Sequence, residues 1–335
     1  MTAKTSTRSR DVLGTSALRP DGVAKVTGEF SFSSDMRAEN MLWGATLRSP
    51  HPYARITSID TTKALLIAGV HAIITAEDVP GKLTYGLISS DQPVFAKDVV
   101  RYMGEPIAAV AADHPETCRR ALAAIVVEYE VMTPLVDAEL AILPTTPPIH
   151  PDGNLIRHQR IIHGDSNATA EIIVEGNYTI GMQDQAFLGL EAAMAFPDPG
   201  AQGVELHIAT QWLHEDRGQI AACLNLPENN VRLVLGGVGG AFGAREDISL
   251  QVHCCLLALR TGRPIKMQYS REESFFGHVH RHPATVWMRH HANRSGKIVK
   301  IEARMVFDGG AYTSTSPAVL INGITHTQGP YQCDN

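Results

Sequence analysis

Cysteine is scarce in this 335-residue chain: Cys118, Cys223, Cys254, Cys255 and Cys333 are all there is, with no Cys-x-x-Cys pair among them. The odd count and wide spacing argue against a disulfide framework and read as reduced thiols, mostly core, in a reducing compartment. A ferredoxin-type iron–sulfur cluster is also excluded, because it needs four thiolates at short, recognisable spacings. Positive charge is not in excess either. With 29 Lys and Arg against 35 Asp and Glu, the net charge is −6, which argues against nucleic acid or an anionic membrane as the main partner. No apolar run reaches membrane-spanning length, and Met1 to Arg10 is polar without the apolar stretch of a secretory signal. Cytoplasmic residence is the expectation. No internal repeat or low-complexity tract is present, and no Gly-x-Ser-x-Gly surrounds Ser270 or Ser274, so a serine hydrolase is not indicated.

Apolar residues make up 44% of the chain, enough to bury substantial cores in two domains. The densest signal is glycine. Gly236-Gly237-Val238-Gly239-Gly240-Ala241-Phe242-Gly243-Ala244-Arg245-Glu246 follows a run, Asn230 to Leu235, whose alternation predicts a strand. It precedes Glu246 to Arg260, apolar almost all round, which predicts a buried helix ended by Gly262 and Pro264. A glycine loop opening a helix would present backbone N–H groups and the positive end of the helix dipole to an oxyanion. Two nucleotide motifs fail here. A dinucleotide fingerprint begun at Gly237 would need glycine at Phe242, and Arg263 stands near the place of the acidic residue. No Gly-Lys-Ser/Thr follows, which removes a P-loop. A tight turn serving close packing stays open as the alternative.

Organisation is legible elsewhere. Strands are expected at Met41–Arg48, Val70–Thr75 and Ile107–Ala112, with a helix from Thr61 to Ala68 closed by Gly69. A further helix is expected to run to Ala124, capped by Asp113 with Glu116 as the capping-box partner. This alternation predicts an α/β domain over residues 19–135, after a tail at 1–18. The Pro-rich stretch 144–151 lies in a linker, 136–157, ahead of a second domain over 158–335. Thr285–Ala292 and Lys297–Phe307 read as a hairpin through Asn293-Arg294-Ser295-Gly296, with Val299, Ile301, Ala303, Met305 and Phe307 on its core face. His278, His280 and His282 would share one face of a strand, but no nearby cysteine or acidic group completes a zinc site.

Taken together, several of these stretches resemble the xanthine dehydrogenase and aldehyde oxidase family. Gly-Gly-x-Phe-Gly-x-Arg-Glu is similar to its molybdenum-pterin loop, and Ala209-Thr210-Gln211 with His214 and Arg217 to its Thr-Gln segment. Arg19 to Gly28, Gly104 to Val110, Arg281-His282-Pro283 and Asp308 to Tyr312 fall in the family's order, so the resemblance covers about residues 12–335. It is strongest to the molybdenum-binding subunit of the multi-subunit members. The implied fold class is α+β, a small α/β-hammerhead-like domain followed by the first, incomplete molybdopterin-binding domain.

The resemblance implies oxidative hydroxylation of a purine such as hypoxanthine or xanthine. In that implied chemistry a molybdenum-bound hydroxide would attack an electron-poor carbon, hydride would pass to a sulfido ligand, and water would supply the oxygen. Molybdenum-molybdopterin, in its plain or its cytosine dinucleotide form, is the implied cofactor, with a 2Fe-2S subunit and an FAD subunit as partners. By position, Gln211 matches the glutamine that hydrogen-bonds the molybdenum oxo ligand, a task suited to a neutral amide. Gly240, Phe242 and Gly243 match loop positions against the cofactor, Gln211 and Phe242 lying nearest the metal. Glu246 matches a substrate-orienting glutamate; a charge complementing a helix dipole is its plainer reading. Ala244-Arg245-Glu246 replaces the common Gly-Lys-Glu, and Asn322 stands near where some relatives place a substrate-contacting arginine. Another N-heteroaromatic, an aldehyde or carbon monoxide is therefore an alternative substrate. The second cofactor domain and the catalytic glutamate base are expected downstream of Asn335, so these residues alone are expected not to turn over substrate. A non-catalytic assembly scaffold is the alternative from a different class.

Overall fold

A computed structural model describes residues 14–200 and 202–335; the expected tail over 1–18 lies outside the described residues as far as position 13. The elements run α1 (Gly22–Thr27), β1 (Leu42–Arg48), β2 (Ala54–Asp60), α2 (Thr62–Leu65), β3 (Val70–Thr75), β4 (Thr84–Tyr85), β5 (Gln92–Pro93), β6 (Val99–Val100), β7 (Pro106–Ala112), α3 (Pro115–Ala124) and β8 (Val126–Val131). They continue with α4 (Ala138–Ala141), β9 (Ile172–Ile180), β10 (Ala192–Asp198), β11 (Gly203–Ile208), α5 (Leu213–Leu224), β12 (Val231–Leu235), α6 (Gln251–Thr261), β13 (Ile265–Gln268), α7 (Arg271–Gly277), β14 (Ala284–Ala292), β15 (Ile298–Phe307) and α8 (Ser316–Thr325).

One seven-stranded mixed sheet, ordered β12-β11-β10-β13-β1-β7-β3, organises the chain. It joins strands from both halves of the sequence through the parallel pairing of β1 with β13. Strand β7 shows why it is central. Every residue of Pro106-Ile107-Ala108-Ala109-Val110-Ala111-Ala112 is buried, because the alternating pleat serves two cores. Ala109 and Ala111 share a core with α6, whereas Ala108 and Val110 pack toward Ala64 of α2 and Ala121 of α3. Small side chains let helices approach both faces. Helix α6 is buried from Gln251 to Ala258, as its all-round apolar sequence predicts. His253 fits there as a neutral ring, stacked on Phe95 at 4.4 Å and 2.7 Å from the Val94 carbonyl, with burial pushing its pKa down to about 4.

Two motifs far apart in sequence meet beneath this sheet. Glu105 is buried, accepts a hydrogen bond from the Arg101 N–H at 2.5 Å, and accepts another from the Tyr312 hydroxyl. The Gly104-Glu105-Pro106 and Asp308-to-Tyr312 stretches therefore form a single contact.

Local expectations fail at identifiable points. Helix α3 is capped by His114, whose Nδ1 accepts from the Glu116 N–H at 3.1 Å. Asp113 instead faces His71 at 2.7 Å, and Glu116 pairs with Arg119. Proline at the first helical position moved the cap by one residue. Helix α2 is four residues long and ends in turns before Gly69. The expected hairpin of β14 and β15 forms, with a register shift between His291 and Ala292 beside the turn and with β9 added on its other edge. Its apolar face is only half-buried, however: no residue of β15 is fully buried. Ile301, Met305 and Phe307 look instead into a cavity of about 1410 Å³ that Ile156, Ile161 and Leu320 also line.

Candidate cofactor-loop site

Beyond β12 the chain does not enter a helix. Gly236 extends the ladder, its N–H donating to the Ile208 carbonyl at 2.8 Å, and irregular backbone then continues to Leu250 before α6 begins at Gln251. The helix expected from Glu246 is shorter by its first turn and more. The loop therefore lacks a helix dipole behind it, and Glu246 is not at a helix N-terminus.

The glycines divide into two kinds. A β-carbon on Gly236 would lie 2.2 Å from Ser33 Oγ, on Gly237 2.1 Å from Phe30 Cε1, on Gly239 2.7 Å from the Gly189 Cα, and on Gly240 2.9 Å from the Phe187 Cβ. Those four are glycines because protein packs against them. Gly243 differs. Its φ is +90° and nothing lies within 4 Å of an added β-carbon. Phe242 beside it takes φ +53° and is 76% exposed, so it is not a core aromatic. The packed-turn reading accounts for the first four glycines and not for the open tip.

Arg245 builds this shape, although in the sequence it stands out only as a departure from the family pattern. The residue is 4% exposed; its guanidinium donates to the Gly240 carbonyl at 3.0 Å, the Ala209 carbonyl at 3.5 Å and the Gly189 carbonyl, and stacks on Phe187 at 4.3 Å. One planar fork thus ties the glycine loop to the end of β11 and to segment 187–189. The arginine in the middle of an otherwise small, apolar run was the signal available.

Gln211 lies across from it. Its N–H donates to the Arg245 carbonyl at 3.0 Å, and its Oε1 accepts from the Arg245 N–H at 3.3 Å. The amide Nε2 has no partner among the described residues and is left to donate outward. Gln211, Gly240, Phe242, Gly243 and Glu246 are thus brought to one loop cluster. Burial, with Asp247 next to it, raises the Glu246 carboxyl above the usual range. Asp247 is raised likewise, by burial first and by Asp91, and accepts a hydrogen bond from Ser314.

Behind Gln211, Asp216 on α5 is fully buried, and burial pushes its pKa up to about 6 against the hydrogen bonds of Thr210 and Gln251. Because the folded chain holds this proton more tightly than the unfolded one, its stabilising contribution is complete below about pH 4 and is lost as pH rises through about 6. Asp216→Asn, which cannot ionise, is expected to exceed wild type by about 2 kcal/mol near pH 8 and to match it near pH 4. Denaturant melts of both proteins at the two pH values measure this; equal stabilities at the higher pH would contradict it.

His278, His280 and His282 do not lie on a strand. His278 and His280 stack at 4.8 Å between ring centroids and face Asp184, whereas His282 turns away to the Ser316 hydroxyl at 2.8 Å. The acidic partner that the sequence did not reveal is Asp184, which every element from β10 to α7 separates from the histidines along the chain.

Comparison with known proteins places this geometry. Residues 27–133 match the aldehyde oxidase and xanthine dehydrogenase a/b hammerhead domain, and residues 149–335 match the molybdopterin cofactor-binding domain, which holds the whole loop cluster. The chain belongs to the xanthine dehydrogenase and aldehyde oxidase family. Its α+β architecture is a hammerhead domain followed by a molybdopterin-binding domain. Among its relatives in that family, a probable xanthine dehydrogenase component of Bacillus subtilis (strain 168) is 36% identical over 96% of this chain and 43% of its own. The nicotinate dehydrogenase large molybdopterin subunit of Eubacterium barkeri is 36% identical over 97% of this chain and 77% of its own. The aldehyde oxidoreductase from Desulfovibrio gigas superposes with a TM-score of 0.90 at 25% identity, over 95% of this chain and 37% of that one. The chain thus spans less than half the length of the first of these relatives. Among the described residues no helix is long and apolar enough to cross a membrane.

Proposed function

We propose that this chain contributes the loop side of a molybdenum-molybdopterin site in an oxidoreductase that hydroxylates an electron-poor ring carbon, a purine by preference. The observation that carries this is the open tip of the loop. Gly243 has empty space where a side chain would stand, Phe242 holds a left-handed backbone that packing does not explain, and the Gln211 amide aims a free donor from beside them. An oxygen-rich group suits that set, because backbone and amide N–H groups donate without adding charge. When bound, the molybdenum group supplies the two-electron redox chemistry and the activated oxygen.

The chain's own residues bind and orient. Arg245 fixes the Gln211 carbonyl side through its backbone N–H, so that Nε2 is the end that faces outward. Gly240 lets the loop close on Phe187, and Gly243 keeps its backbone bare. Glu246, partly buried and with its pKa raised, presents a carboxyl that can hydrogen-bond a ring nitrogen and stabilise charge developing on a heterocycle. Electrons leave through iron–sulfur and FAD subunits in this reading. A pyridine such as nicotinate is the second substrate reading, favoured by the Eubacterium barkeri relative's name.

Gly243→Ala tests the cradle. In the purified native assembly, the molybdenum content per chain is expected to fall below about a tenth, while stability falls by only about 1–2 kcal/mol from the positive φ. Full molybdenum retention would remove the loop tip from the site, and no molybdenum in the wild-type assembly would favour a scaffold protein.

A further inference from the structure

Beneath the glycine loop, on the far side of Phe187, three side chains from two separate segments converge. Asp184 Oδ2 lies 3.1 Å from His278 Nε2 and 3.1 Å from His280 Nε2, and the three atoms all fall within 4.8 Å of one another. The side chains are 10%, 1% and 15% exposed, respectively.

Each is held from behind by backbone. Asp184 Oδ1 accepts the Ala186 N–H at 2.6 Å, leaving Oδ2 aimed at the imidazoles. His278 Nδ1 lies 2.7 Å from the Val279 carbonyl, to which it donates as N–H, so Nε2 carries the lone pair. His280 is hydrogen-bonded to the Phe275 backbone. His278 Nε2 is buried without a hydrogen-bond partner, and the one partner of Asp184 Oδ2 among the described residues is the His280 imidazole. Two lone-pair atoms facing each other at this distance require a positive charge between them, a metal ion or a proton. Glu191 adds to the demand: its Oε1 is 3.8 Å from His278 Nε2, and neither of its oxygens has a hydrogen-bond partner.

We propose that Asp184, His278 and His280 bind one divalent first-row transition ion, Zn²⁺ foremost, as a clip under the loop. Two imidazoles and one carboxylate suit such an ion, whose ligand bonds of about 2.0–2.2 Å set neighbouring ligands roughly 3.3–3.6 Å apart in a tetrahedron. The two 3.1 Å separations lie within a few tenths of an ångström of this, and the third pair is within 4.8 Å. His280 is the most exposed of the three at 15%, so water as a fourth ligand would enter from its side. The clip would fasten segment 183–187 to segment 278–281, which one backbone pair, the Arg281 N–H to the Gln183 carbonyl at 3.0 Å, already joins. Phe187 relays this to the loop, since it lies 5.1 Å from the His278 ring and beneath Gly240.

The test uses the full chain in its native assembly, stripped with a chelator and titrated with Co²⁺ as a visible probe and with Zn²⁺ in competition. One ion per chain is expected, counted separately from molybdenum. His280→Ala and Asp184→Asn are each expected to weaken binding by at least about tenfold, while His163→Ala, an exposed control, leaves it unchanged. Wild type, needing no variant, is expected to melt at a higher temperature with Zn²⁺ than with chelator. No ligand-field bands and no shift in melting, or equal affinity in all variants, would overturn the clip and assign the cluster to a proton shared with Asp184. Molybdenum loss without loss of the Zn²⁺ response would touch only the functional reading above.

Discussion

Arg245→Met is expected to destabilise the chain by about 3–5 kcal/mol, because it removes a buried group that satisfies three carbonyls at once. The guanidinium bonds the carbonyls of Gly240, Ala209 and Gly189 and sits over the Phe187 ring at 4.3 Å. Methionine replaces the volume and none of the donors. Some cost is returned, since burial works against the charge and depresses its pKa, with Glu191 opposing that effect. Arg245→Lys is expected to recover little, as an ammonium cannot present a planar fork in three directions. Urea unfolding of the three proteins reads this directly. A loss under about 1 kcal/mol in the methionine variant would mean that the loop is held by its glycines alone.

Gly239→Ala is expected to cost about 2–3 kcal/mol, as forced overpacking does elsewhere, and Gly189→Ala about the same. The two backbones touch. A β-carbon on Gly239 meets the Gly189 Cα at 2.7 Å and its N at 2.9 Å, a β-carbon on Gly189 meets the Gly239 Cα at 2.8 Å, and the Gly189 N–H donates to the Gly239 carbonyl at 3.0 Å. No rotamer can relieve a clash with backbone, so either methyl must part the segments and break that hydrogen bond. Once they are parted the second methyl meets little. The double variant is therefore expected to lose clearly less than the sum of the singles, a coupling that a double-mutant cycle measures. Strict additivity would show that the two glycines do not share one contact.

Both predictions rest on contacts between residues distant in sequence, and the same division runs through the whole molecule. Strand β7, the body of helix α6 though not its start, and the β14–β15 hairpin could be read directly, because a pleat of period two, an all-round apolar run and an Asn-Arg-Ser-Gly turn are local signals. The α3 cap lies one residue beyond the predicted Asp113 because His114 and Asp113 are both able to accept, and Pro115 decides between them. The glycine loop could be located but not interpreted: composition alone cannot distinguish Gly239, bare because Gly189 touches it, from Gly243, bare beside open space.

Local order of apolar, small and turn-forming residues was enough to specify the main elements and to mark the loop, since backbone propensity and periodic burial act over a few residues. Tertiary structure alone decided that β1 and β13 unite the two halves in one sheet, that Glu105 finds Tyr312, that Arg245 ties three segments, and that Asp184 meets His278 and His280. Those pairings depend on which buried donor is carried to which acceptor by the closing of the chain, and local sequence order does not reveal that distance.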